Sequence, residues 1–409
     1  MSTEYAKALG RKIAFNRKRR GLSQKEFARL LERSEAWVSQ VERGVRRIDR
    51  MTVLEKVADA LDLPVGELAA EAPIVASVAD GEPPGANRLR LVLSAAHSLT
   101  AILGRHEPPD VPALSAQVDR AWSLAHGGNY ADLAELLEEL VPSLEGAVRS
   151  GPEEQRRPQL FRLMAAMYHT CSGALANMGE AEAAWIAVDR AVVAAERADD
   201  PLLMAAGEFR LSIVFLGARH FEQAAQASGT AADALRPLTD SGEAAAVALR
   251  GALTLQRAVA AARLNDADAA YDFLSEARSM AQQVGEGRND YNTEFGPTNV
   301  GLHEVSVAVD LGDAGVALRA ARDIDASALS SERQTRFNLD IARAQAQRRQ
   351  VGPAVEALLK ARELSPEMVR AMPLVKQLVS DLLTMSQPPS DQLRGLANEL
   401  GVQEVRTST

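Results

Sequence analysis

Residues 22–63 read LSQKEFARLLERSEAWVSQVERGVRRIDRMTVLEKVADALDL, and their helices follow from period and punctuation alone. Ser23 followed three residues later by Glu26 is a capping box, in which each side chain satisfies an orphan N–H of a helix start. The helix it opens carries Phe27, Leu30 and Leu31 on one face. Ser34 caps a second helix, with Val38 and Val41 four and seven residues on, and Gly44 stops it. Positions 52–63 place Leu54, Val57, Ala58 and Leu61 on one side of an amphipathic helix that ends before Pro64. Upstream, 6–20 carries Leu9, Ile13 and Ala14 at helical spacing up to Gly21, and 64–71 make a fifth, short helix. The two central helices, 23–31 and 34–43, are joined by a turn of about three residues, which is the geometry that lays a helix into a DNA major groove.

These positions closely resemble the lambda-repressor-like helix-turn-helix of the Xre family. The resemblance rests on Leu22-Ser23-Gln24, Ala28, Ser34, Val38, Ser39, Glu42-Arg43-Gly44, Leu54 and 58–61. It implies a DNA-contacting set of Arg17, Gln24, Lys25, Ser34, Glu35, Ala36, Trp37, Ser39, Gln40, Arg43, Arg46 and Arg47. Glu35, Ala36, Ser39 and Gln40 are the candidate base readers, because Gln pairs bidentately with adenine, Glu accepts from cytosine and Ala meets a thymine methyl. Gln24, Arg43, Arg46 and Arg47 carry over as phosphate contacts, and Arg17 as the partner of Glu42, locking the first helix to the third. Two positions depart from the pattern. Glu32-Arg33 stands where the family commonly has Gly and an aliphatic residue, and a Glu at positive φ costs about 1 kcal/mol, which leaves a rewired turn open. Trp37 is unusual on this helix, and either plugs the core, packs on the linker or touches the DNA backbone.

Charge separates the chain into two parts. Residues 1–50 net +8 while all 409 net −9, so a basic head precedes an acidic body, as expected if only the head meets a polyanion. Aromatics are only 4% and Ala is the commonest residue, a composition that reads as all-helical. The N-terminus has no apolar signal segment and no run of 18 apolar residues occurs, so a cytoplasmic, nucleoid-associated protein without membrane contact is expected. One cysteine, Cys171, rules out an internal disulfide, and six scattered histidines give no metal-ligand spacing. No phosphate-binding glycine loop, dinucleotide fingerprint or nucleophile elbow occurs. Neither catalytic residues, a cofactor nor a metal is therefore expected.

Residues 72–86, rich in Pro and Gly, read as a linker between a head (1–71) and a body (87–409). From about 113 to 386, a turn followed by an Ala-rich amphipathic helix recurs at 128, 179, 219, 265, 312 and 350. Spacings near 44 residues belong to helix-pair repeats that stack into an α-solenoid. These segments resemble tetratricopeptide repeats at the level of the turn. The expected fold is thus all-α, a five-helix lambda-repressor-like domain followed by a solenoid of tetratricopeptide-like hairpins.

This architecture resembles the peptide-responsive regulators of Gram-positive bacteria, which implies a bacterial transcriptional regulator whose body senses a signalling peptide or small molecule. Aligning the six turns places His169, Asn177, Arg210, Arg263, Asn299, His303 and Asp340 as candidate ligand contacts on the concave face, against the alternative that they are ordinary solenoid surface. For Asn299 and His303, after the Gly296-Pro297 helix start, the inward or outward direction stays open. The apolar run Met368, Met372, Leu374, Val375, Leu378, Val379, Leu382 and Leu383 is expected to form a homodimer contact, presenting two heads to an inverted repeat in double-stranded DNA. A second reading is a DNA-tethered adaptor whose solenoid binds a partner protein without a small ligand.

Overall fold

The computed structural model describes residues 3–46, 48, 51–63, 68, 85–94, 110–149, 156–386 and 388–402. Arg47, most of the helix expected at 64–71 and most of the linker expected at 72–86 lie outside the described residues. Among those described, every regular element is helical.

The head comprises α1 (Thr3–Arg19), α2 (Gln24–Leu30), α3 (Glu35–Glu42) and α4 (Met51–Leu61). Its capping box forms: Ser23 Oγ accepts from Glu26 N at 3.2 Å, and Ser23 N donates to Glu26 Oε2 at 2.8 Å. Ile13, Phe27, Leu31, Val38, Val41, Leu54 and Val57 make the core. At Gly10 a side chain would overlap the carbonyls of Val41 and Glu42, so glycine there lets α1 cross α3 closely. The turn between α2 and α3 is not rewired: Glu32 itself takes the left-handed conformation, at φ 54.

The body opens with α5 (Ala86–Val92). Six hairpins follow: α6 (Val111–Gly127) with α7 (Tyr130–Arg149), α8 (Arg157–Asn177) with α9 (Ala181–Arg197), and α10 (Pro201–Gly217) with α11 (Phe221–Ala234). After the short α12 (Arg236–Asp240) come α13 (Ala244–Arg263) with α14 (Ala267–Val284), α15 (Pro297–Asp310) with α16 (Ala314–Ala320), and α17 (Ser331–Gln347) with α18 (Val351–Leu364). The chain then adds α19 (Pro366–Ala371), α20 (Pro373–Met385) and α21 (Asp391–Glu399). Each hairpin turn contains one left-handed residue: Gly128, Gly179, Arg219, Asn265, Gly312 and Arg349, with φ between 60 and 85. That conformation ends the first helix with its last carbonyls satisfied, which is why the repeat is visible as a turn signature.

The first helices of the pairs face a central space and the second helices lie outside. The solenoid closes on itself. α17 packs against α6, Ser365 Oγ donates to the Gly127 carbonyl at 3.0 Å, and Glu367 accepts from Ala131 N at 2.9 Å. One apolar core runs through both ends, from Leu133 and Leu137 to Leu358, Leu382 and Leu396. The run from Met368 to Leu383 is therefore not a free apolar end. Met368, Val375, Val379 and Leu382 are wholly buried, and Met372, Leu378 and Leu383 are buried too, with only Leu374 half-exposed, towards the central space. Closing the ring uses the surface on which a dimer contact was expected.

The head also has a fixed seat. Arg349 Nη2 donates to Glu26 Oε1 at 2.5 Å, Arg20 Nε to Asp381 Oδ2 at 2.9 Å, Arg219 pairs with Asp62, and Arg19 lies 3.7 Å from Asp310. Gly21 sits against the backbone of Ala346 and Gln347, where a side chain would overlap the Ala346 carbonyl. With φ at +70, Gly21 is required twice over, as the end of α1 and as the contact with the body. Two left-handed arginines, Arg219 and Arg349, stand where the other turns have Gly or Asn. Each carries roughly 1 kcal/mol of backbone cost, and each pairs with an acid of the head.

Candidate nucleic-acid interface and ligand cavity

Ser34 starts α3 by accepting from Trp37 N at 3.2 Å, and this cap leaves Ser34, Glu35 and Ala36 exposed, with Ser39 and Gln40 half-exposed. After α3, the amides of Val45 and Arg46 donate to the Gln40 carbonyl at 2.9 and 3.0 Å, which pins the following turn and leaves Arg43 and Arg46 in solvent. Gln24 and Lys25 begin α2, where first-turn N–H groups have no intrahelical partner, and Lys25 is exposed. The Gln24 amide is itself engaged, donating to Glu42 Oε2 at 2.7 Å. Docking onto the body leaves the start of α3 uncovered.

Two members of the expected DNA set belong to the interior. Arg17 is 7% exposed and forked onto Glu42, with Nε at 2.5 Å and Nη2 at 3.0 Å, while Nη1 donates to the Leu22 carbonyl. Its donors are consumed, so it holds α1 to α3 and cannot reach a phosphate. Trp37 is 9% exposed within the head core, with the Arg33 guanidinium 5.9 Å over its ring. Its size is used in packing rather than at the DNA backbone.

Between head and body lies a cavity of about 1070 Å³, larger than most small-molecule sites. Asn177, Arg210, Arg263, Asn299, His303 and Asp340 all line it, as do Arg19, Arg20, Asp62 and Leu63 of the head. His169 does not. On α8 the cavity is lined by Thr170, Gly173, Ala174 and Asn177, and one residue earlier turns the side chain by about 100° into the wall. His169 is 2% exposed, and burial followed by the nearby Arg210 charge pushes its pKa down to about 3, so it is neutral.

The lining residues form two polar groups. Near the head, Asp310 is 1% exposed and collects Arg263 Nε at 3.0 Å, Arg343 and Arg19, while Arg343 Nη1 also reaches Asp340 at 2.8 Å. Burial alone would raise the Asp310 pKa, but Arg343, Arg263 and Arg19 hold the carboxyl well below its ordinary range. Arg263 and Asp340 are thus engaged with protein partners. At the far end stand Arg210, Asn299, His303, Glu332, Arg333 and Arg336. His303 Nδ1 lies 2.9 Å from the Asn299 carbonyl, and burial pushes its pKa down to about 4. The ring is therefore neutral and donates from Nδ1, leaving Nε2 an acceptor.

Asp310, Arg343, Asp381, Trp122 and Arg333 were not singled out in the sequence, and Glu26 was singled out only as a capping residue. One signal for the head contacts was present there: Arg at two hairpin turns, where three of the other four have Gly and one has Asn.

No helix among the described residues is long and apolar enough to cross a membrane. No curated protein matches the chain. Among solved structures it is similar to Bacillus thuringiensis PlcR, crystallised in complex with the peptide PapR7 and DNA, at 14% identity and a TM-score of 0.30, over 68% of this chain and 95% of that one. A score that low equates neither fold nor function. A family model described as a helix-turn-helix domain matches residues 8–71. With α2, a tight turn and an uncovered α3 inside that span, the described part of residues 8–71 has the arrangement of the helix-turn-helix domain that the family model describes, a kind of unit that binds DNA.

Proposed function

We propose that this chain is a sequence-specific regulator in which the cavity senses a peptide or small molecule and sets the position of the DNA-reading head. The observation that carries the reading is the seat of the head. Four ion pairs and Gly21 hold it across the cavity mouth while the start of α3 stays exposed. A ligand that prefers one head position shifts the equilibrium only by its differential affinity for the two. Gly21→Ala tests this: a side chain there is strained at φ +70 and overlaps the Ala346 carbonyl. The head should leave its seat, read as a larger radius of gyration in small-angle scattering, and operator affinity should lose its dependence on cavity ligands. An unchanged radius with ligand control intact would defeat the proposal.

Acid loosens the same seat. Burial would raise the Glu26 carboxyl, but bonds from Arg349 and Ser23 hold it down to about 2. A depressed carboxylate stabilises fully above its ordinary pKa of about 4.5 and loses that contribution as pH falls towards 2. Arg349 is half exposed, so the pair contributes no more than about 1 kcal/mol.

In the DNA interface, Glu35, Ala36, Ser39 and Gln40 read bases, and Gln24, Lys25, Ser34, Arg43, Arg46 and Arg47 position the backbone. Gln40→Ala or Glu35→Ala should cost about 1–3 kcal/mol on the operator and relax one base position. Arg46→Ala should weaken every sequence alike and lower the salt slope by about one. Equal losses on all sequences for both groups would misplace the recognition helix.

Reading an inverted repeat requires two heads, and we place the homodimer contact away from the buried 368–383 run. Ile186 and Val193, seven residues apart on one face of α9, are 51% and 41% exposed beside Trp185 at 49%. The same face would serve a partner protein in the adaptor reading. Light scattering of Ile186→Glu separates the two: a monomer supports the dimer, whereas an unaltered mass with normal DNA binding supports the adaptor.

A further inference from the structure

The far end of the cavity contains a buried positive charge without a counterion. Arg210 is 8% exposed, and its Nη2 donates to the carbonyls of Tyr291 and Asn292, at 3.4 and 2.7 Å. No carboxylate among the described residues lies within ion-pair distance of it. Arg333 and Arg336 are by contrast matched, by Glu294 at 3.5 Å and Glu332 at 3.3 Å. Among the described residues Arg210 Nε has no partner, nor has the indole Nε1–H of Trp122, itself 8% exposed, whose ring lies 4.9 Å from the Arg210 guanidinium. Both residues line the cavity. An unpaired buried charge and two unmet buried donors are costly in an empty site. They become favourable when an anion accepts from both.

The surroundings point the same way. Asn299 and Arg333 lie in the first turns of α15 and α17, the positive ends of those helices. The chain that caps this end, 290–294, has three left-handed residues, Tyr291, Asn292 and Glu294, and such strain concentrates where ligands are held. Between this end and the charged cluster near the head, the lining includes Ile213, Val214, Val259, Leu302, Phe337 and Leu339, with Gln256 and Ser306 among them. The eleven helical steps from Asn299 to Asp310 make this stretch about 16 Å long.

We propose that Arg210 and Trp122 form the anchor for a single carboxylate whose apolar body extends along the cavity towards the head. This rests on the cavity being the sensor. One unmatched cation sets the charge at one, and the apolar wall sets the rest of the ligand. This chemistry is shared by an organic acid and the C-terminus of an apolar peptide, and the test distinguishes the two.

The test uses the full chain labelled with ¹⁵N-tryptophan, whose Trp122 indole signal is assigned by its loss in Trp122→Phe. Four probes are titrated: 4-phenylbutyrate, its neutral amide, and an apolar pentapeptide with a free or an amidated C-terminus. The expected result is a downfield shift of the Trp122 N–H with at least one carboxylate, absent with its amide and weakened at least about tenfold in Arg210→Met. Which free acid acts identifies the source. Arg210→Met should leave the unliganded melting temperature unchanged or raised, because methionine removes the uncompensated charge. A marked drop with undiminished carboxylate binding would make Arg210 a structural clamp on 291–292 and overturn the anchor. Equal shifts with acid and amide overturn the charge assignment while the sensing cavity stands. No shift with any probe at about 10 mM, above the roughly millimolar Kd expected for fragments of this size, overturns the anchor too, and the Gly21→Ala experiment then judges the sensor by itself.

Discussion

Asp310→Asn should destabilise the body by about 3–5 kcal/mol, the range for removing one member of a buried charge cluster. The carboxylate is 1% exposed and has Arg263, Arg343 and Arg19 around it. Asparagine fills the same space but leaves three guanidiniums facing one another with only Asp340 left beside Arg343. In a body of this size the melting temperature should fall on the order of 10 °C. Because Arg19 comes from the head, the variant should also loosen the seat of the helix-turn-helix. The pH dependence supplies an independent check. The folded carboxyl sits far below its ordinary pKa of 3.8, so its contribution is complete above that value and fades as pH drops below it. Wild type should therefore lose stability through that window more steeply than Asp310→Asn. Parallel acid profiles, or a melting temperature within a degree of wild type, would show that the cluster is not bound together by this residue.

Glu42→Ala should be nearly as severe, but in the head. Arg17 at 7% and Glu42 at 8% exposure are joined by two hydrogen bonds, and Gln24 adds a third to the same carboxylate. Truncating Glu42 leaves a buried guanidinium with only the Leu22 carbonyl, at about 3–5 kcal/mol. A 60-residue domain cannot absorb that loss. Calorimetry should show the head melting early while the body's transition stays near its wild-type position, and specific DNA binding should vanish at temperatures where the body is intact. Glu42→Gln, which keeps the acceptor, should be milder. If Glu42→Ala leaves the head transition unmoved, the pair is not what joins α1 to α3.

Much of the architecture was legible because it is written within a few residues. The capping box at Ser23 and Glu26, the stops at Gly21 and Gly44, and the turns at 128, 179, 219, 265, 312 and 350 each depend on neighbours up to about four positions away. A helical period read from any turn therefore also showed which helix of each pair faces inward. Asn177, Arg210, Arg263, Asn299, His303 and Asp340 share one cavity for that reason. His169 shows the limit of such reading, since one residue of register moves a side chain from cavity to wall. Trp37 was left open between core and DNA backbone, because an aromatic on such a helix carries no mark of whether its ring is packed or presented.

Closure of the solenoid and the seat of the head depend on residues far apart in the chain. Glu26 meets Arg349, 323 positions away, and Arg20 meets Asp381, 361 away, and no period or punctuation records such pairs. The apolar run 368–383 looked like an open end because hydrophobicity states that a surface must be covered without saying by what. In the folded chain the first hairpins cover it, and the groove expected of a solenoid becomes a cavity with the head across its mouth. The unmatched charge of Arg210 has the same origin. An arginine in a list of ionisable residues looks balanced by the acids around it, and only tertiary packing decides that Glu294 and Glu332 go to its neighbours. Sequence alone determined most of the helices and the turns, because these are local, and it left the inward direction of Asn299 and His303 open. Tertiary structure decided what closes the ring, what holds the head and which buried charge has no ion pair among the described residues, because those follow from long-range packing.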